Sequence, residues 1–304
     1  MPETLVVVER LKSSIRQWPS AKVQASGLEI FALDAADCAQ RRRSQARTVL
    51  GAEHVLSLLE PSDGPFVLMK GLEVAQLYPD VLDRPFRDVD LLVQDAPTVW
   101  QRFAAAGYTA RPTRRYDIDH HHLPALVAPF GRIGLEVHHR ANTPAWAPID
   151  TATILETAQP SRTSIPGVLR PRDDLHALIM ALHCWKGGFT RTRDLFDALL
   201  LAGASDVPVE RTAAEWGLAR VWRWTVRFAE LQLFNTGSRR TRLLAGLLLP
   251  RRHGIADRRR VRLLAPYLVA NPIRVTKGHI AEYRLSREAR RKRASQVPEH
   301  VLST

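Results

Sequence analysis

The sequence predicts an α+β protein: a small mixed β-sheet with helices packed on it, an N-terminal helical segment, and an all-helical portion behind. Two observations lead to that class. Between residues 41 and 138, short apolar runs of strand length alternate with stretches of helical periodicity, whereas from Arg172 onward only helical periodicity remains. Composition supplies the third: apolar residues make up 45% and charged residues 25% of 304, the balance of a globular chain long enough for a large core.

Taken in order, Arg41 to Leu59 places Ala46, Val49, Leu50, Val55, Leu56 and Leu59 on one helix face. Pro61-Ser62-Asp63-Gly64-Pro65 is a turn, and Phe66-Val67-Leu68-Met69 reads as a buried strand ended by Lys70-Gly71. A short helix over Leu72 to Tyr78 stops at Pro79-Asp80. Val89 to Val93 is the second strand, and Pro97 to Ala106 is a helix closed by Gly107. His122 to Ala128 and Ile133 to His138 are two more strands around the Pro129-Phe130-Gly131 turn. Helices follow over 172–186, 191–202, 208–234, 239–249 and 256–270, with Trp216, Trp222 and Trp224 filling their core. The expected organisation is a helical segment over 1–60, a catalytic core over 61–160, a helical domain over 161–287, and a basic, flexible tail over 288–304.

The net charge of +13 is unevenly placed: from Thr236 onward there are 17 Lys and Arg against 4 Asp and Glu, while the first 235 residues carry 27 of each. A surplus of this kind suits an anionic partner such as RNA, an acidic protein or a lipid surface, or is simply a solvated face. The longest apolar stretch, Leu243 to Pro250, is too short to span a bilayer. The opening Met1-Pro2-Glu3 lacks the basic-then-apolar pattern of a secretory leader. Cys38 and Cys184 are isolated, which argues against a disulfide framework or a cysteine zinc site and points to the reducing cytoplasm.

The chemistry concentrates in Arg87-Asp88-Val89-Asp90-Leu91-Leu92-Val93. Residues two apart on a strand share a face, so Asp88 and Asp90 present neighbouring carboxylates. Two such groups repel unless a cation lies between them, and hard oxygen ligands suit Mg²⁺, with Mn²⁺ as its substitute. Glu136, in Gly134-Leu135-Glu136-Val137-His138, lies on a strand able to bring a third carboxylate and complete a two-metal site. His138 shares the face of Glu136, which places it near the metals or an acceptor; a hydrogen-bonded structural histidine is the alternative. His122 faces the same site if its strand neighbours that of Glu136. Alternation allows at most two of His120, His121 and His122 on one face, which argues against zinc.

Met69-Lys70-Gly71, Leu77-Tyr78-Pro79, the run from Arg84 to Val93, and Leu135-Glu136-Val137-His138 together resemble the uncharacterised bacterial nucleotidyltransferase family, within the DNA polymerase β-like superfamily. His120-His121-His122-Leu123-Pro124 and the run from Arg191 to Asp197 add to the resemblance, which covers roughly residues 40–200. It implies transfer of a nucleoside monophosphate from a nucleoside triphosphate, ATP by default, to an acceptor hydroxyl with release of pyrophosphate. It also implies that Asp88, Asp90 and Glu136 are metal ligands, with Glu136 available as base. Lys70-Gly71 stands where the superfamily usually has Gly-Ser: Gly71 would let the backbone approach the phosphates, and Lys70 would bring a point charge. Arg84 and Arg87 would neutralise developing charge, although Arg84 equally suits a structural role within its loop. Arg193 and Asp197 have the spacing of a helical ion pair, and an arginine of that helix reaching the triphosphate is the sharper reading. The acceptor expected is a small molecule or peptide. An inactive nucleotide-fold scaffold and an RNA-modifying transferase are the two alternatives.

Overall fold

The computed structural model describes residues 35–60, 64–111, 121–129, 133–141, 149–189 and 191–248, with Ile280 and Arg284 besides. Expectations for residues 1–34, for 256–270 and for the 288–304 tail lie outside the described residues. So do His120 and the Phe130-Gly131 part of the expected turn.

Helix α1 spans Ala35–Ser57. Strand β1 (Phe66–Leu68) leads through Lys70-Gly71 into the single turn of α2 (Leu72–Ala75) and a 3-10 turn at Val81–Asp83. Then come β2 (Asp88–Leu92), α3 (Ala96–Ala105), β3 (Thr109–Ala110), β4 (Leu126–Val127) and β5 (Gly134–His138). Helix α3 starts where Asp95 accepts a hydrogen bond from Thr98 N, with Pro97 in the first turn where its missing N–H is harmless. Helix α4 (Thr151–Glu156), β6 (Gln159–Pro160) and β7 (Val168–Arg170) follow. The remainder is helical: α5 (Asp173–Lys186), α6 (Thr192–Ala204), α7 (Val209–Glu215), α8 (Ala219–Phe234) and α9 (Arg239–Leu248).

The strands form one mixed sheet in the order β3-β4-β5-β2-β1-β7-β6, the α+β arrangement expected. Strand β7 pairs in parallel with β1, Phe66 opposite Val168, so the sheet reaches past residue 160. The expected strand over 122–128 is shorter. Only Leu126 and Val127 pair continuously, and an isolated bridge joins His122 to His138. The expected helix over 208–234 is two helices, because Gly217 turns into a left-handed conformation with φ 64° and Leu218 N reaches back to Ala213 O.

Alternation divides the sheet's side chains between two apolar clusters. Phe66, Leu68, Val89, Leu91 and Val93 pack with Val55 and Leu56 of α1 and Val99 and Phe103 of α3. Val67, Met69 and Leu92 pack on the other side with α5, α6 and α8, including Trp222, Trp224 and Phe228. Trp216 is only partly buried against that second cluster. Asp88 and Asp90 share the face of Leu92, so the carboxylates stand on the helical side of the sheet, where its apolar cover ends.

Candidate active site

Strands β2 and β5 run parallel with Asp88 opposite Gly134, Asp90 opposite Glu136, and Leu92 opposite His138. That register sets Asp88, Asp90, Glu136 and His138 on one face. His138 Nε2 lies 3.2 Å from Asp90 Oδ1 and 3.7 Å from Glu136 Oε2. Lys70 Nζ reaches the same Asp90 oxygen at 2.9 Å from the β1 side. Ligand atoms of Asp90, Glu136 and His138 all fall within 4.8 Å of one another, a spacing that would admit a metal ion.

The charges respond to this crowding. Burial would raise the Asp90 pKa, but Lys70 and His138 hold it far below the ordinary carboxylate value. Burial would lower the Lys70 pKa, and the Asp90 carboxylate outweighs that effect. Asp88 is pushed up to about 6, first by burial and then by repulsion from Asp90 and Glu136. Its carboxylate has no hydrogen bond or ion pair among the described residues. The set therefore carries unneutralised negative charge on oxygen donors, which fits a divalent cation.

His138 also suits a supporting position beside Asp90. A ligating imidazole normally donates its second N–H to another group, and the buried Nδ1 of His138 has no hydrogen-bond partner. Nε2–H donating to Asp90 Oδ1 leaves Nδ1 as a bare lone pair, the milder deficit. Asp88, Asp90 and Glu136 supply oxygen donors on that face, and His138 supplies a nitrogen.

Gly71 has φ 55° and ψ −115°, a region that strains any residue with a β-carbon. A β-carbon there would also lie 2.8 Å from Asp88 O, so glycine lets the Lys70-Gly71 turn press against β2. Arg84 holds that turn from behind: Nη1 donates to Gly71 O at 2.9 Å, while Nε and Nη2 grip Asp197 at 3.0 and 2.7 Å. Tyr78 OH donates to the same Asp197 at 2.7 Å. The Arg84 guanidinium is buried, and its bonds to Gly71 O and Asp197 brace the Lys70-Gly71 turn. Arg87 is exposed, and its side chain has no partner among the described residues.

The expected Arg193–Asp197 pair is replaced. Asp197 belongs to Arg84, and Arg193 donates to Pro85 O at 2.7 Å and to Asp194. Arg191 is 65% exposed and 3.9 Å from Asp194. His122 is partly buried, with its ring centroid 5.1 Å from that of His138. The expected separation of His121 from His122 fails, since the His121 ring lies 5.3 Å from that of His138 and 4.9 Å from that of His122. At this point His121 O accepts from both His139 N and Arg140 N, at 3.1 and 3.2 Å, a bulge that breaks alternation beside the His122–His138 bridge.

Sequence reasoning did not foresee two supports of the site. Asp197 clamps Arg84 across 113 positions of sequence, and His176 Nε2–H donates to Met69 O beside Lys70. Pairings so distant in sequence leave no periodic signal.

A mixed sheet bearing three carboxylates on one face, flanked by a Lys-Gly turn, has the oxygen donors that suit a divalent metal ion. A family model described as uncharacterised nucleotidyltransferase matches residues 7–233, and the chain belongs to that family. No curated protein and no solved structure matches the chain. Among the described residues, no helix is long and apolar enough to cross a membrane.

Proposed function

We propose that this nucleotidyltransferase is metal-dependent and moves a nucleoside monophosphate, from ATP by default, to an acceptor hydroxyl with loss of pyrophosphate. One observation carries the reading: the β2–β5 register that sets Asp90 opposite Glu136 with Asp88 two residues away on the same face. Asp88, Asp90 and Glu136 would hold Mg²⁺ or Mn²⁺, and a divalent ion bound there supplies Lewis-acid polarisation of phosphate and acidifies a nearby hydroxyl.

The chain's own residues do the rest. His138 Nε2–H fixes the Asp90 carboxylate, and Glu136 is positioned to take the acceptor proton. Lys70 lies beside Asp90 and offsets triphosphate charge, while Gly71 admits the phosphates close to the backbone. His122 stands beside His138 at the margin of the face, and Arg87, exposed at the entry to β2, would reach the nucleotide from the strand end. Arg84 acts through Gly71, as the brace of that turn. The reading places the enzyme in the cytoplasm, with the basic region after Thr236 open to an anionic partner.

The test is transfer of α-labelled nucleotide, with each of the four triphosphates and Mg²⁺ or Mn²⁺, into a lysate separated into RNA, protein and small molecules. Label entering one fraction, and lost in the Asp88→Ala/Asp90→Ala variant, supports the reading. A wild type that neither labels any fraction nor binds nucleotide with metal is a scaffold, and the reading fails.

A further inference from the structure

Thr109, Val127, Gly134 and Asp88 form one row across β3, β4, β5 and β2. Arg111 lies two residues beyond Thr109, and its backbone N–H donates to Ala125 O at 2.8 Å, so its side chain rises from the same face as Asp88. The guanidinium lies over Gly134. A β-carbon at Gly134 would stand 3.4 Å from Arg111 Nη2 and 3.6 Å from Asp88 Cβ. Glycine thus leaves open floor between the arginine and the carboxylates.

The Arg111 side chain makes no ion pair or hydrogen bond among the described residues. By contrast Arg42, Arg84, Arg162, Arg170, Arg172 and Arg193 each have a carboxylate within 4.0 Å. Arg111 is thus a guanidinium over the face that carries Asp88, with no partner for its donors among the described residues.

In the sheet order, β1 with Lys70 lies on one side of β2 and β5, and β3 with Arg111 lies on the other. With the triphosphate on the Lys70-Gly71 side, the Arg111 side belongs to the acceptor. We propose that Arg111 anchors the acceptor, and that the acceptor is a low-molecular-weight hydroxyl compound bearing a phosphate or carboxylate. The planar fork of a guanidinium pairs with either group through two parallel hydrogen bonds. A polycationic acceptor such as an aminated sugar would meet like charge there and be rejected. This inference rests on the transferase reading above.

The experiment divides a low-molecular-weight cell extract by anion exchange into a retained fraction and a flow-through, and offers each to the full chain with α-labelled ATP and Mn²⁺. Label should enter the retained fraction. Phosphatase treatment of that fraction beforehand then separates the two anions, abolishing labelling of a phosphate ester and sparing a carboxylate. Arg111→Ala should lower transfer at subsaturating acceptor by about 10–100-fold, the loss expected for a charge-assisted pair. Arg111→Lys should recover part of it. Mn²⁺-dependent binding of a non-hydrolysable ATP analogue should change by less than about twofold, since one acceptor contact is removed and none to nucleotide. No label in the retained low-mass fraction overturns the inference, wherever else label goes. So does an equal loss of analogue binding in Arg111→Ala, which would put the guanidinium on the triphosphate. Wild-type protein that binds no analogue with metal fails earlier, at the transferase reading itself.

Discussion

Around Asp90 two donors converge on a single oxygen, Lys70 Nζ at 2.9 Å and His138 Nε2 at 3.2 Å. The carboxylate is thereby fixed in direction before any substrate arrives, and His138 is the fixed member of the two because its ring is buried. Removing it should free Asp90 without touching substrate. His138→Ala is expected to lower transfer by about 10–100-fold, as loss of an orienting partner does. His138→Gln, which keeps an N–H, should restore part of the rate, and a steady-state assay of labelled transfer decides; equal losses in both variants would point to ligation instead. Gly71 makes a stricter prediction. Its positive φ and the 2.8 Å approach of a β-carbon to Asp88 O act together, so Gly71→Ala should destabilise by about 1–3 kcal/mol. Urea denaturation would show it, and an unchanged midpoint would mean that the turn relaxes freely. The shared face of Asp88 and Asp90 was legible in the sequence because strand alternation is local. The contact of His121 with His138 was not, because the bulge of His139 and Arg140 opposite His121 breaks alternation and carries no signature in the sequence.

Among the elements, α6 does most to shape the loop that precedes β2. Arg193 holds Pro85 O, and Asp197 holds Arg84, which in turn holds Gly71 O. The helical half thus grips both the loop before the carboxylates and the turn beside them. Asp197 is fully buried, so Arg84→Ala strands a charge and should cost about 3–5 kcal/mol. Adding Asp197→Ala should recover part of that loss, and a double-mutant cycle by chemical denaturation measures the coupling, expected at roughly 0.5–3 kcal/mol. Simple additivity would dissolve the clamp. Arg84→Lys, which loses the fork, should raise the KM for nucleotide more than it lowers kcat. The helices were readable because their apolar periodicity runs over three or more turns, as in Asp173–Lys186. Strands β3, β6 and β7 were not, since two or three residues cannot display a period of two. The Gly217 break was missed because apolar residues continue on both sides of it.

At the scale of the whole molecule, the sheet and the helical half are joined through a histidine. His176 of α5 is wholly buried, and its Nε2–H donates to Met69 O at the end of β1. Burial lowers its pKa from 6.5 to about 3, and the cations of Arg162 and Arg170 add to the effect against the bond to Met69. A histidine lowered in this way is neutral in the folded protein while the unfolded chain still takes up a proton. Stability from this group is therefore complete above pH 6.5 and falls as pH drops toward 3. The slope is about 1.4 kcal/mol per pH unit, or about 2 kcal/mol between pH 7 and pH 5. For a protein of this size that corresponds to roughly 3 °C in Tm. The paired carboxylates Asp174 and Asp194 act elsewhere: their pKa values lie below 3.8, so their contributions are lost only at lower pH. In the window between pH 5 and pH 6.5, the His176→Asn variant should show a pH slope flatter than wild type by one proton. If that variant does not fold, ring resonances of His176 in the wild type should stay those of neutral imidazole down to pH 5. Titration near pH 6.5 would mean that α5 separates from β1 readily enough to admit water, and that the two halves are not held as one body at this joint.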